Sequence, residues 1–255
     1  MTLRSVVLAG GLLAAGAAHA APLDITFTNV QSAGGLALTP FLTVLHDGSY
    51  DPFDAGGTAS AGVEAIAEEG DVSVELGTLG GETAGVALAP DGFPGAPVIE
   101  PGETATLRLD VDPASDRFLT FLSMVIPSND LFVGNDDPMA YEIFDAVGEF
   151  VLDGPIEVFA GAVWDAGTEV NNGQGAAFST DGGTATETSD PIALAGSLDV
   201  LLGINAPTGP ITTVPGAGDL LFTVEVAPAP IPLPAGLPLM LAALGGLAFV
   251  RRRAA

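Results

Sequence analysis

Two stretches hold the residues best equipped for chemistry: "MVIPSNDLFVGNDD", residues 124–137, and "WDAGTEVNN", residues 164–172. The first is an apolar run that ends at Pro127 and is followed by Asp130, Asp136 and Asp137. The second carries Asp165, Glu169, Asn171 and Asn172. Carboxylate, amide and carbonyl oxygens are hard donors that suit calcium. With no cysteine in the chain, and His46 the one histidine beyond the leader, zinc and copper are poorly served. Neither stretch has the regular D-x-D-x-D-G spacing of an EF-hand, so a site would need both loops at one end of a domain. The plain alternative is that the loops never meet and each carboxylate faces water. Two unit charges 4 Å apart repel by about 1 kcal/mol in water and about 4 kcal/mol at an effective dielectric of 20. Clustered carboxylates therefore need a cation, a proton or distance.

Other chemistries are less well supplied. His46 is followed by Asp47 and there is no G-x-S-x-G elbow, so His46 reads as a strand-end histidine hydrogen-bonded nearby rather than as a catalytic base. Paired carboxylates would permit glycoside hydrolysis. One tryptophan and two tyrosines leave little with which to build a sugar-stacking cleft, and the expectation is that the chain is not an enzyme. Asp136 and Asp137 read as turn carboxylates, Asn129 as an Asx-type brace of its own turn, and Trp164 as a core or loop anchor. Ser60 and Glu64 read as a helix cap and a solvated helix residue.

The elements that must carry these residues are mainly strands. Leu23, Ile25 and Phe27 alternate with Asp24, Thr26 and Thr28; Ala105, Leu107, Leu109 and Val111 alternate with Thr104, Thr106, Arg108 and Asp110. Phe222, Val224 and Val226 repeat the pattern, and "DVSVEL" places Val72, Val74 and Leu76 on one face. Period-2 alternation of this kind predicts strands with one wet face. "FLTFLSMVI", residues 118–126, is apolar on both faces and predicts a central strand. One segment, "ASAGVEAIAEEG", reads as a helix, with Val63, Ile66 and Ala67 at helical spacing and Gly70 as its stop. Residues 173–190 are rich in Gly, Thr, Ser and Asp without periodicity and predict a long loop. The fold class expected is all-β, an antiparallel β-sandwich with one short helix.

The ends of the sequence read as addresses. Arg4, an apolar run over residues 6–17 and Ala18-His19-Ala20 form a signal peptide over residues 1–20, cleaved after Ala20. The body spans residues 21–228. It holds all 32 acidic residues against Arg108 and Arg117 alone, a formal charge of −30, and there is no lysine. Such a surface repels nucleic acid and anionic lipid and attracts cations, while also serving solubility. Residues 229–255 are a Pro/Ala linker, a short apolar segment that forms a single C-terminal hydrophobic helix, and an Arg-rich end.

Within that tail, Ile231 followed by Pro232, Leu233, Pro234 and Ala235, then the apolar run and Arg251, Arg252 and Arg253, resemble the VPLPA variant of the PEP-CTERM sorting signals of Gram-negative bacteria. The resemblance implies an exosortase-type protease as a partner, a transient inner-membrane anchor, and delivery to the cell surface or extracellular matrix. A permanent membrane anchor is the alternative.

The body in turn resembles the spondin N-terminal domain, an extracellular-matrix module also found in bacteria. The matching stretches run in order: "ITFTNV", "TPFLTVLHDGSYDPFDAGGTASAGVEAIAEEGD", "PGE", "FLSMVIPSNDLFVG" and "WDAGTEVN". The combination of AS-x-G, M-x-x-P-x-N-D-x-F-x-G and D-A-G-T-E is the specific part. The resemblance implies a C2-like antiparallel sandwich with one structural calcium ion, its carboxylates being Asp130, Asp165 and Glu169. Glu169 stands where the family pattern has aspartate. The function implied is adhesion to an extracellular polymer or cell-surface ligand. The alternatives are a structural component of biofilm matrix and an envelope polysaccharide hydrolase.

Overall fold

The computed structural model describes residues 21–89 and 96–230. The cleavage positions Ala18 and Ala20, the sorting residues Pro232, Leu233, Pro234, Ala235 and Arg251 to Arg253, and the expected C-terminal apolar helix lie outside the described residues. Among the described residues, no helix is long and apolar enough to cross a membrane.

The first half contains β1 (Ala21–Asn29), β2 (Ala37–Leu38), β3 (Phe41–His46), α1 (Ala61–Glu69), α2 (Ser73–Leu76), β4 (Thr83–Ala87) and β5 (Thr104–Val111). β6 (Phe118–Ile126), β7 (Leu131–Gly134), β8 (Ile156–Phe159) and β9 (Val163–Asp165) follow. The chain ends with β10 (Ala193–Leu194), β11 (Asn205–Ala206), β12 (Gly209–Pro210) and β13 (Leu220–Pro228). A four-stranded sheet has the order β5-β1-β13-β8, and a second sheet the order β10-β9-β7-β6-β3-β4 with β2 added beside β6. Every pairing is antiparallel.

The alternating strands fold as their period dictates. Leu23, Ile25 and Phe27 of β1 are fully buried, and their cross-strand partners on β13 include Val226 and Val224. Four phenylalanines tie the two sheets together. Phe27 stacks on Phe41 with ring centroids 4.1 Å apart, while Phe121 meets Phe27, Phe41 and Phe222 at 5.6–6.0 Å. Each such side chain contributes about 1.5–3 kcal/mol on leaving water, so this cluster is the centre of the sandwich. β6 is buried along its whole length. Leu119 and Phe121 face the inter-sheet core, and Leu122 meets a second cluster formed with Val63, Ile66 and Ala67 of α1.

α1 begins where Ser60 Oγ accepts from the Val63 amide at 3.1 Å and ends at Gly70, whose left-handed φ of 67° lets its amide reach the Ile66 carbonyl. The stretch "DVSVEL" departs from expectation: instead of a strand it forms the single turn α2, a second short α-helix among the described residues. Alternation fails there because the buried residue is polar. Glu75 turns inward to accept from the Tyr50 hydroxyl at 2.9 Å, while Val74 faces solvent. Gly62 makes this possible, since a Cβ there would lie 1.9 Å from Glu75 Oε2. Asp71 starts the turn by accepting from the Ser73 amide at 2.9 Å.

Candidate metal centre

The two acidic stretches meet because β7 pairs with β9. Leu131 lies opposite Asp165 in that register, so the turn entering β7 and the loop leaving β9 are neighbours by strand pairing alone. The Ala166 amide donates to the Asp130 carbonyl at 3.1 Å and closes the approach. Ser128 braces the first turn by accepting from the Leu131 amide at 3.1 Å. Gly167 shapes the second. Its φ of +73° lets its amide donate to Asp165 Oδ1 at 2.8 Å, and a Cβ there would meet the Asp190 carbonyl at 2.2 Å.

Asp130 is fully buried. Its Oδ2 accepts from the amides of Thr168 at 2.8 Å and Glu169 at 3.0 Å and from the Thr168 hydroxyl at 3.2 Å. Its Oδ1 accepts from Asn171 Nδ2, and the same amide nitrogen donates to Asp165 Oδ2 at 3.1 Å. A neutral side chain thus stands between two carboxylates. Asn171 Oδ1 in turn accepts from the amides of Asn129 at 3.0 Å and Asp130 at 3.3 Å.

Asn129 does not brace its own turn. Its Oδ1 accepts from the amides of Asn172 and Gly173 at 3.1 and 2.8 Å, and its Nδ2 donates to Glu169 Oε2 and the Gln174 carbonyl, both at 3.1 Å. The reason is that Asn129 is fully buried and the second loop supplies the nearest unpaired backbone groups.

The carboxylate of Glu169 belongs with a different group from those of Asp130 and Asp165. Among the described residues, Glu68, Glu169 and Glu187 form the cluster whose carboxylate oxygens lie within 4.8 Å of one another. Glu68 comes from α1, and Glu187 from the Gly/Thr-rich loop, which folds back so that Glu187 bridges Glu169. One carboxylate oxygen of the cluster, Glu68 Oε1, is buried without a hydrogen-bond partner.

The electrostatics follow from this crowding. Burial, and after it the charges of Glu169, Glu64 and Glu187, push the Glu68 carboxyl up to about 7, against a partial offset from Thr168. Burial and the charge of Asp130 raise Asp165. Glu169 is raised by burial and by Glu187, Asp130 and Glu64, with Asn129 pulling the other way. No protein cation relieves the strain: among the described residues the arginines are engaged elsewhere, Arg108 with Asp24 and Arg117 with Glu142, each at 2.6 Å. The donors here are oxygen throughout, and one of them, Glu68 Oε1, is left without a hydrogen-bond partner. That chemistry fits a hard cation.

Asp136 and Asp137 stay outside the centre, accepting from the amides of Ala55 at 2.6 Å and Met139 at 2.9 Å. Trp164 anchors the loop by donating from Nε1 to the Gly134 carbonyl at 3.1 Å. Glu68 and Glu187 are the participants that the sequence did not single out. Asn171 and its neighbours were visible as an amide-rich run; Glu68 is about a hundred residues from the loop it meets, and only the pairing of helix to sheet brings it there. No protein-family model matches the chain, and the comparison with curated proteins finds no match.

Proposed function

We propose that this chain is an exported, surface- or matrix-associated binding module, C2-like in architecture and related to spondin N-terminal domains. It holds one calcium ion between its two acidic loops and is not an enzyme. The observation that carries the reading is the meeting of the Asp130 turn with the loop from Asp165 to Glu169 at one end of the sandwich, where carboxylates crowd together and, among the described residues, no arginine balances them. Asp130, Asp165 and Glu169 would hold the ion once the Glu169 carboxylate turns from Glu68 and Glu187 toward the two aspartates, and the ion would supply the positive charge that the loops lack and fix them relative to one another. The residues around them have separate tasks: Asn171 separates the two aspartates, Asn129 pins the second loop, and Thr168 orients Asp130.

The sorting tail supports the location, and adhesion to an extracellular polymer or cell-surface ligand is the activity this assignment implies. Thermal unfolding with calcium and with chelator tests the metal. A ligand at a hundred times its Kd adds about 2.7 kcal/mol, or roughly 5–10 °C for a domain of this size. The rise is expected in the wild-type protein and lost in Asp165→Ala; an equal midpoint in both buffers for the wild type would overturn the assignment. Cell-fraction blots after chelator washing test the adhesion: release of the protein from cells is expected, and retention counts against calcium-dependent attachment.

A further inference from the structure

Two features of the chain run against local electrostatic preference, and both put carboxylates at one spot. Glu68 lies in the last turn of α1, where the negative end of the helix dipole disfavours an acid, and that turn has no basic residue. Glu169 and Glu187 face each other across an antiparallel bridge. The flanking bonds run from the Val170 amide to the Thr186 carbonyl at 2.9 Å and from the Thr188 amide to the Thr168 carbonyl at 2.7 Å. That pattern makes Glu169 and Glu187 a non-hydrogen-bonded pair, the kind with the closer side chains, and like charges so placed repel. The result is a trio, Glu68, Glu169 and Glu187, whose oxygens lie within 4.8 Å of one another.

Relief has to come from outside the chain. Ionised carboxylates accept hydrogen bonds and donate none, so the three cannot satisfy each other. Glu68 Oε1 is buried without a hydrogen-bond partner, which distinguishes the trio from an acidic patch in water. A proton on Glu68 would remove one charge and leave the Glu169–Glu187 pair unrelieved. Among the described residues the basic side chains are occupied elsewhere: Arg108 by Asp24, Arg117 by Glu142, and His46 by the Gly48 amide and Thr120. Glu187 is exposed, and it lines a cavity of about 310 Å³ together with Glu64, Thr168, Thr188, Ser189 and Asp190. An ion can reach the trio by that route, and every side-chain donor it would meet there is an oxygen.

We propose that Glu68, Glu169 and Glu187 hold a second divalent cation of the calcium class, between α1 and the Gly/Thr-rich loop. The count of two rests on the aspartate-held ion proposed above; the glutamate site does not. Glu169 is common to both, and its two carboxylate oxygens allow it to span the ions. Equilibrium dialysis of the wild-type chain against radiolabelled calcium, in about 0.15 M salt to screen the diffuse surface charge, counts them. Two ions per chain are expected at saturation. One is expected in Glu68→Gln and in Glu187→Gln, and one in Asp165→Ala. Asp54→Asn, which removes an exposed charge outside both groups, should keep two. Because Glu187 is exposed, its variant carries the test if Glu68→Gln fails to fold. A count unmoved in Glu68→Gln and Glu187→Gln would overturn the glutamate site and leave the aspartate site to be judged by Asp165→Ala. A single ion that is lost in both glutamine variants and kept in Asp165→Ala would support the glutamate site and remove the aspartate one. No saturable binding up to about 10 mM calcium, or an equal fall in Asp54→Asn, overturns the proposal.

Discussion

Asp24 and Asp130 show two ways for a carboxylate to exist in this fold. Asp24 sits on the wet face of β1, directly across from Arg108 on β5, and takes both arms of its guanidinium at 2.6 Å. Asp130 is fully buried and is held by amides and a hydroxyl instead of a cation. The first pair has a counter-ion but sits in water, where ion pairs add little. The second has no counter-ion but organises two loops, because each donor it satisfies would otherwise be unpaired backbone or side chain in the interior. Charge neutralisation and structural importance are therefore separate properties, and here they fall on different residues.

The comparison breaks most sharply if Asp130 is truncated. Asp130→Ala leaves the amides of Thr168 and Glu169 and the Asn171 side chain without their acceptor, and is expected to cost about 3 kcal/mol or more in urea unfolding. A loss below about 1 kcal/mol would mean that the loops are held by something else.

Asn171→Asp comes next. It replaces the amide donor between Asp130 and Asp165 with a further charge, and is expected to cost about 2–4 kcal/mol in chelator, with much of the loss recovered in calcium. If calcium restores nothing, the gap between the two aspartates is not where the cation acts.

A smaller effect is expected from pH. The Glu68 carboxyl stands at about 7 in the folded chain against an ordinary 4.5, and Asp165 and Glu169 are shifted in the same direction. The folded state then binds more protons than the unfolded state between those values. In chelator, stability is therefore gained as pH falls through the folded pKa and lost as pH rises through it. Melting midpoints at about pH 5.5 and about pH 8 should show the lower pH as the more stable, and the reverse order would refute the assignment of strain to this cluster. The smallest change is expected from Arg108→Ala, whose midpoint should be indistinguishable from wild type at moderate salt because the pair it removes is open to water.

Legibility in the sequence divides along the same line. β1, β5, β6 and β13 could be read from period and burial because a strand with one wet face, or none, imposes its pattern on residue types. α1 was legible through Ser60 and Gly70, whose roles at helix ends are local. α2 was not, since Glu75 is buried by a tyrosine from another segment and by the absence of a side chain at Gly62. At the loop end, "PSND" and "DAGTE" were visible as acidic turns. Their meeting depends on the β7–β9 register, and the addition of Glu68 and Glu187 on a helix and a folded-back loop, none of which leaves a periodic trace.

One feature of the sheet bears on how the molecule would carry load. β1 and β13 are adjacent, and the Ala229 amide bonds to the Pro22 carbonyl at 2.7 Å, so the described chain begins and ends at one place. That place is far from the acidic loops, because the other end of β1, Asn29, donates its side-chain amide to Leu36, next to the Ala37 that pairs with Ile126. A pull at the C-terminal end against something gripped by the loops would run lengthwise along β13, which is bonded to β1 on one side and β8 on the other. In that direction the rungs of both ladders are sheared together instead of being unzipped singly. Force along β13 would load both ladders at once, so this strand would not peel away singly.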